Sequence, residues 1–121
     1  VTWKPIKPFK LAPGYERMIR VEVAPENVAK FVAGMEATER AVEKAGYDLN
    51  IGVFAGVGGG KHEANTLHMR AVFRTAADFG KVLDEYYAGA SFGAPWDKAF
   101  GYVTRIASDY VQECEQIYAA Q

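Results

Sequence analysis

Three short stretches of the chain alternate apolar and polar residues, and longer stretches with the spacing of a helix lie between and after them. The first alternating stretch, residues 15–23, places Ile19, Val21 and Val23 on one side. Because successive side chains of a strand point to opposite faces, such a stretch predicts a strand with one buried face. The repeated change of period along the chain therefore predicts an α+β domain.

The two other alternating stretches follow each other closely. Residues 49–57 and 66–73 both alternate, and a glycine-rich link joins them. Two strands connected in this way predict an antiparallel hairpin. A last strand is predicted over residues 109–118, near the end of the chain.

Three helices are predicted between the strands. Apolar residues recur at helical spacing within residues 25–46, which indicates one long amphipathic helix. Thr75 followed by Asp78 resembles a capping box and begins a second helix, which ends at Gly89. Pro95 can open a third, shorter helix. The apolar residues of this third helix are Trp96, Phe100 and Val103.

The predicted order is strand, helix, strand, strand, helix, short helix, strand. This is the ferredoxin-like β-α-β-β-α-β plan with an extra short helix before the last strand, and it implies a four-stranded antiparallel sheet. The 121 residues fit one domain, which we assign to residues 15–121. Residues 1–14 contain three prolines and predict an extended N-terminal arm that lies against the domain or a partner chain, with a disordered terminus as the alternative.

Composition and charge exclude several classes of partner. Half of the residues are hydrophobic and the net charge is −1, so we expect a soluble protein with no nucleic-acid partner. No apolar run is long enough to span a bilayer, so we expect no membrane partner. Cys114 is the only cysteine and does not assign a compartment, although the cytoplasm is favoured. The chain begins at Val1, and we expect that preceding residues were removed.

Residues 54–69, which include the link between the second and third strands, contain a glycine run, a lysine and both histidines of the chain. His62 lies in the link and His68 in the third strand. The link fails as a phosphate loop, because Ala55 replaces the first glycine of the motif and His62 replaces its Ser or Thr. The link also leads into a strand, whereas a phosphate loop leads into a helix. It therefore predicts a turn between strands, with a mobile lid as the weaker alternative. His62 and His68 form no metal motif.

The face of the sheet opposite the helices combines charged and apolar residues. Its predicted members are Met18, Arg20, Glu22, Asn50, Phe54, Thr66, His68, Arg70 and Val72. The last strand adds Glu113 and Glu115 or, in the other register, Gln112, Cys114 and Gln116. Such a mixture suits two sheets that face each other across a partly hydrated interior, where opposite charges pair.

In its element order and face pattern the chain resembles the dimeric α+β barrel superfamily, in which two ferredoxin-like subunits press their sheets together. The resemblance covers residues 15–118 and implies a homodimer. The superfamily includes cofactor-independent monooxygenases, muconolactone isomerases, haem-degrading enzymes and stress-response proteins of unclear activity. No motif of the chain allows catalytic residues of these proteins to be carried over, so whether the chain is an enzyme stays open.

A small-molecule site is the first functional hypothesis, either between the sheet and its helices or inside the barrel. The candidate ligand-binding residues are Arg20, Asn50, Phe54, His68, Arg70 and Trp96. His68 can move a proton near neutral pH, and Arg20 or Arg70 can hold a carboxylate or enolate. These residues therefore predict a small, partly aromatic, anionic ligand.

The competing hypothesis is a non-catalytic homodimeric structural or protein-interaction module. In that case the arginines merely pair with glutamates at the dimer interface. Haem would require His62 or His68 as the iron ligand. We predict no cofactor and no metal.

Overall fold

The computed structural model describes residues 14–56 and 59–114, and for His62 it describes the backbone alone. Within these residues four strands and three α-helices follow one another in the predicted order. They are β1 (Gly14–Val23), α1 (Val28–Lys44), β2 (Leu49–Ala55), β3 (Thr66–Phe73), α2 (Ala76–Tyr87), α3 (Gly93–Phe100) and β4 (Val103–Cys114). Short 3₁₀ helices occupy Pro25–Asn27 and Gly60–His62. The predicted N-terminal arm, apart from Gly14, lies outside the described residues.

The four strands form one sheet in the order β2-β3-β1-β4, and every neighbouring pair is antiparallel. Met69 lies at the centre of the sheet, opposite Ile19 on one side and Val53 on the other. The predicted α+β class and the four-stranded antiparallel sheet are therefore confirmed. The architecture is consistent with the predicted ferredoxin-like fold.

The core lies between the sheet and the three helices. The strands contribute the predicted apolar rows, and these side chains are at most 5% exposed. The rows are Ile19, Val21 and Val23; Leu49, Ile51 and Val53; and Leu67, Met69, Ala71 and Phe73. From α1, Phe31 and Met35 are fully buried against them. Burial of this many large apolar side chains is the main source of stability in such a domain.

A close contact between α1 and α3 holds the short helix in place. A Cβ atom at Gly34 would lie 2.5 Å from the Cβ of Ala99, so only glycine permits this approach. Beside this contact, the rings of Phe31 and Phe100 meet edge to face with centroids 6.1 Å apart. The extra helix is therefore packed onto the core.

The helix ends follow the predicted capping signals. The side chain of Thr75 accepts a hydrogen bond from the Asp78 amide at 3.1 Å, which is the N-terminal half of the predicted capping box. At the end of α1, Gly46 has a φ of +100°, and Tyr47 N–H donates to the carbonyl of Val42. A left-handed glycine with this bond is a frequent way to end a helix.

The last strand differs from its prediction. It begins at Val103, six positions before the predicted start, and residues 115–118 lie outside the described part of the chain. The assignment of Val103 to the third helix was therefore wrong, since α3 ends at Phe100 and Gly101 closes it. Most of β4 is exposed on both faces. Its residues therefore carry little of the apolar alternation by which a half-buried strand is recognised.

Candidate functional site

The sheet separates the six predicted site residues into two groups. Arg20, Asn50, Phe54, His68 and Arg70 lie together on the face opposite the helices, which we call the open face. Trp96 belongs to α3 and stacks on Phe100 in the helical layer, with ring centroids 4.5 Å apart. The structure therefore brings five of the candidates together and places the sixth across the sheet.

The first cluster on the open face surrounds Glu16, which is fully buried. Arg70 donates two hydrogen bonds to its carboxylate, at 3.0 and 2.6 Å, and Gln112 donates a third at 3.2 Å. The Arg70 guanidinium also lies 5.5 Å from the centre of the Phe54 ring. Burial raises the pKa of the neighbouring Cys114 thiol, with a smaller contribution from Glu16, which disfavours the reactive thiolate.

The partner of Arg70 was not among the candidates. Of the two registers predicted for the last strand, one would have supplied a glutamate to this face. The observed pairing of β1 and β4 is the other, which places Gln112 and Cys114 on the open face. The carboxylate comes from β1 instead. Glu16 lies two positions before Met18, so the alternation of β1 already placed it on this face.

The second cluster on the open face is centred on Glu63, which belongs to the link between β2 and β3. One carboxylate oxygen pairs with Arg20, and the other lies 3.2 Å from His68 Nε2. The hydrogen bond with His68, followed by the charge of Arg20, lowers the pKa of Glu63. A Cβ atom at Gly59 would lie 2.3 Å from Glu63 Cγ, so this glycine allows the link to pass over the carboxylate.

A pocket of about 520 Å³ that is partly open to solvent, which we call the cavity, lies on the other side of the sheet, beneath the helices. Most of its lining is apolar. The sheet contributes Ile19, Ile51 and Ala71; α2 contributes Phe79, Val82 and Leu83; and α3 contributes Trp96 and Phe100. Among the predicted site residues, Trp96 is the one that lines it.

Two polar pairs border the cavity. Arg17 donates to both carboxylate oxygens of Asp109, at 3.0 and 2.8 Å, and its guanidinium lies 5.7 Å from the centre of the Trp96 ring. Tyr86 donates its hydroxyl to Asp97 Oδ1. This bond, with burial and the charge of Asp97, raises the pKa of Tyr86 to about 12, so its hydroxyl stays protonated at neutral pH.

Sequence reasoning missed these four polar residues, and only one of them carried a signal. Arg17 occupies the same side of β1 as Ile19 and Val21, so it is a charged residue in the row that faces the helices. Tyr86, Asp97 and Asp109 come from three different elements. Their meeting depends on how α2 and α3 pack, which the sequence pattern does not contain.

Two other kinds of feature are absent from the described residues. In the part of the chain covered by the structure, no group of three or more His, Cys, Asp or Glu residues could hold a metal ion. No helix in residues 14–56 and 59–114 is both long enough and apolar enough to cross a membrane. Among known proteins, no family model matches the sequence, and a search of curated proteins finds no significant match.

Proposed function

We propose that the chain binds a small, largely apolar organic molecule in the cavity between its sheet and its helices. The cavity carries this proposal. Its volume of about 520 Å³ falls within the roughly 300–1,000 Å³ of pockets that hold small ligands. Elsewhere the core is closely packed, with Phe31, Met35 and Met69 at 0% exposure. Apolar side chains around this partly open space border solvent on that side, and a ligand that displaces the solvent buries their surface.

Filling the cavity with protein atoms tests the proposal. Ala71 is 5% exposed and lines the cavity, so Ala71→Leu places a larger side chain in the ligand's space. We expect the parent chain to bind the neutral dye N-phenylnaphthylamine. The variant is expected to bind it about tenfold or more weakly, because ligand and leucine compete for the same volume. Dye fluorescence titration gives both dissociation constants.

The matched control for this experiment is Ala37→Leu. Ala37 is exposed on α1 and does not line the cavity, so the same substitution there leaves the cavity unchanged. Both variants are checked for folding by thermal unfolding. Dye binding that is equal in parent and Ala71→Leu protein would contradict the cavity as the binding site.

The exposed apolar residues of β4 support a second part of the proposal, the homodimer. This strand forms one edge of the described sheet, and Ile106, Tyr110 and Val111 on it are about half exposed. A long edge strand with apolar side chains tends to associate with another chain unless it is covered. Tyr110 pairs with Met18 and so lies on the open face. We therefore propose that β4 and the open face dock against a second copy, as in a dimeric α+β barrel.

A charge on β4 tests the dimer. Tyr110→Lys introduces a charge into the proposed interface, so we expect a dimeric parent and a variant that is largely monomeric at the same concentration. Sedimentation velocity of the full chain measures both. Ala37→Lys is the control, because it adds the same charge at an exposed position of α1 that does not line the cavity. A parent chain that stays monomeric up to high concentration would contradict the proposed homodimer.

The anionic ligand predicted for the open face has weaker support. Such a ligand would have to replace Glu16 beside Arg70 or Glu63 beside Arg20. The observed pairs favour the structural alternative for these arginines. A chain that dimerises but binds no dye would therefore support the non-catalytic homodimeric module.

A further inference from the structure

The charges that border the cavity restrict the polar group of its ligand. The described lining contains one cationic side chain, Arg17, and two carboxylates, Asp97 and Asp109. Nε and Nη2 of Arg17 already donate to the two carboxylate oxygens of Asp109. A carboxylate ligand would share the Arg17 guanidinium with Asp109, and it would add a third negative charge beside a single positive one. The lining therefore disfavours an anionic ligand.

Asp97 offers an acceptor to a ligand that can donate a hydrogen bond. Its Oδ1 atom accepts the hydroxyl of Tyr86. Its Oδ2 atom has no hydrogen-bond donor among the described residues, and Asp97 is exposed at the edge of the cavity. A hydrogen bond to a charged acceptor is about twice as strong as one between neutral groups. This atom therefore suits the hydroxyl group of a ligand.

Aromatic rings form the wall next to this acceptor. Trp96 precedes Asp97 in α3, and its ring stacks on Phe100 with an angle of 29° between the planes. Both rings line the cavity, together with Phe79. Flat aromatic ligands pack well against such a wall, because stacked and edge-to-face ring contacts add to the burial of apolar surface.

We infer that the cavity selects a planar aromatic molecule with a neutral hydroxyl group, and that Asp97 Oδ2 accepts the hydrogen bond from that hydroxyl. This inference rests on the proposed function of the cavity. It adds the class of ligand and a specificity-determining residue. Arg17 serves as a fixed partner of Asp109, and the apolar walls hold the ring system.

Three probes with the same ring system test the selectivity. Naphthol, naphthoate and methylnaphthalene, substituted at the same ring position, carry a neutral donor, an anion and no polar group at neutral pH. Equilibrium dialysis against the full chain measures their dissociation constants. We expect naphthol to bind about fivefold or more tightly than either of the others, because of the three only naphthol donates a hydrogen bond to the charged carboxylate of Asp97.

Asp97→Asn tests the residue itself. The change keeps an oxygen acceptor but removes the charge, so the preference for naphthol over naphthoate is expected to fall about fivefold or more. Asp84→Asn is the control, because Asp84 is exposed on α2, does not line the cavity, and undergoes the same loss of charge. Thermal unfolding midpoints establish that both variants are folded.

The outcomes separate the inference from the proposed function. Failure of all three probes to bind overturns the proposed function and this inference with it. Naphthoate or methylnaphthalene binding as tightly as naphthol leaves the cavity as a binding site and overturns the inferred ligand class. A preference for naphthol that survives unchanged in Asp97→Asn overturns the role of Asp97.

Discussion

Arg70→Met is expected to lower the free energy of unfolding by about 3–5 kcal/mol, since it leaves a buried carboxylate without its cation. The carboxylate is that of Glu16, which has 0% exposure and accepts two hydrogen bonds from the Arg70 guanidinium. Gln112 also donates one hydrogen bond to Glu16, but its neutral amide cannot neutralise the charge of the carboxylate. Removing the arginine therefore leaves an uncompensated negative charge in the protein interior.

Replacing Glu16 instead of Arg70 is expected to lower the free energy of unfolding by a smaller amount. Glu16→Gln removes the charge of Glu16 but leaves Arg70, whose side chain is 26% exposed and can be solvated in part. We expect a loss of about 1–3 kcal/mol, which is typical of a perturbed buried hydrogen bond. The double variant Glu16→Gln/Arg70→Met contains no uncompensated buried charge. We therefore expect its loss of unfolding free energy to be close to that of Glu16→Gln and smaller than that of Arg70→Met.

Urea denaturation of the four proteins at one pH measures these free energies. Arg74→Met is the control, because Arg74 is 63% exposed and pairs with Asp48 at the surface. Losing that pair is expected to cost no more than about 1 kcal/mol. An Arg70→Met protein that is no less stable than the Glu16→Gln protein would show that Glu16 is not held by Arg70.

The signals that predicted the fold are local in the sequence. Alternation in β1, β2 and β3 identified the buried rows because each of these strands has one face against the helices. Thr75 marked the start of α2, since a cap acts within three residues. The same logic failed for β4, where exposure on both faces removes the alternation.

The sequence predicted only those features of the candidate site that follow from alternation within single strands. Alternation grouped Arg20, His68 and Arg70 on one face, and the structure confirms that grouping. The carboxylate that pairs with Arg20 comes from Glu63 in the glycine link, whose path no periodic pattern describes. The cavity depends on the packing of α2 and α3 over the sheet, so the sequence pattern does not predict its lining.

A comparison of two phenylalanines tests whether the cavity is a true gap in the packing. Phe31 is fully buried in α1, whereas Phe100 in α3 is partly buried and has one side toward the cavity. Their rings touch edge to face, so both lie in the same part of the core. We expect Phe31→Ala to lower the free energy of unfolding by about 3–5 kcal/mol, as is typical of large deletions in a packed core.

Phe100→Ala is expected to lower the free energy of unfolding by about half as much. One side of the Phe100 ring faces the cavity, so its removal breaks fewer contacts with other protein atoms. Saturating N-phenylnaphthylamine should enlarge the cost of Phe100→Ala and leave that of Phe31→Ala nearly unchanged, since the dye stabilises only proteins that bind it well. Urea denaturation with and without dye supplies the four differences. Equal costs without dye, unaltered by adding it, would mean that protein atoms already occupy the space beside Phe100.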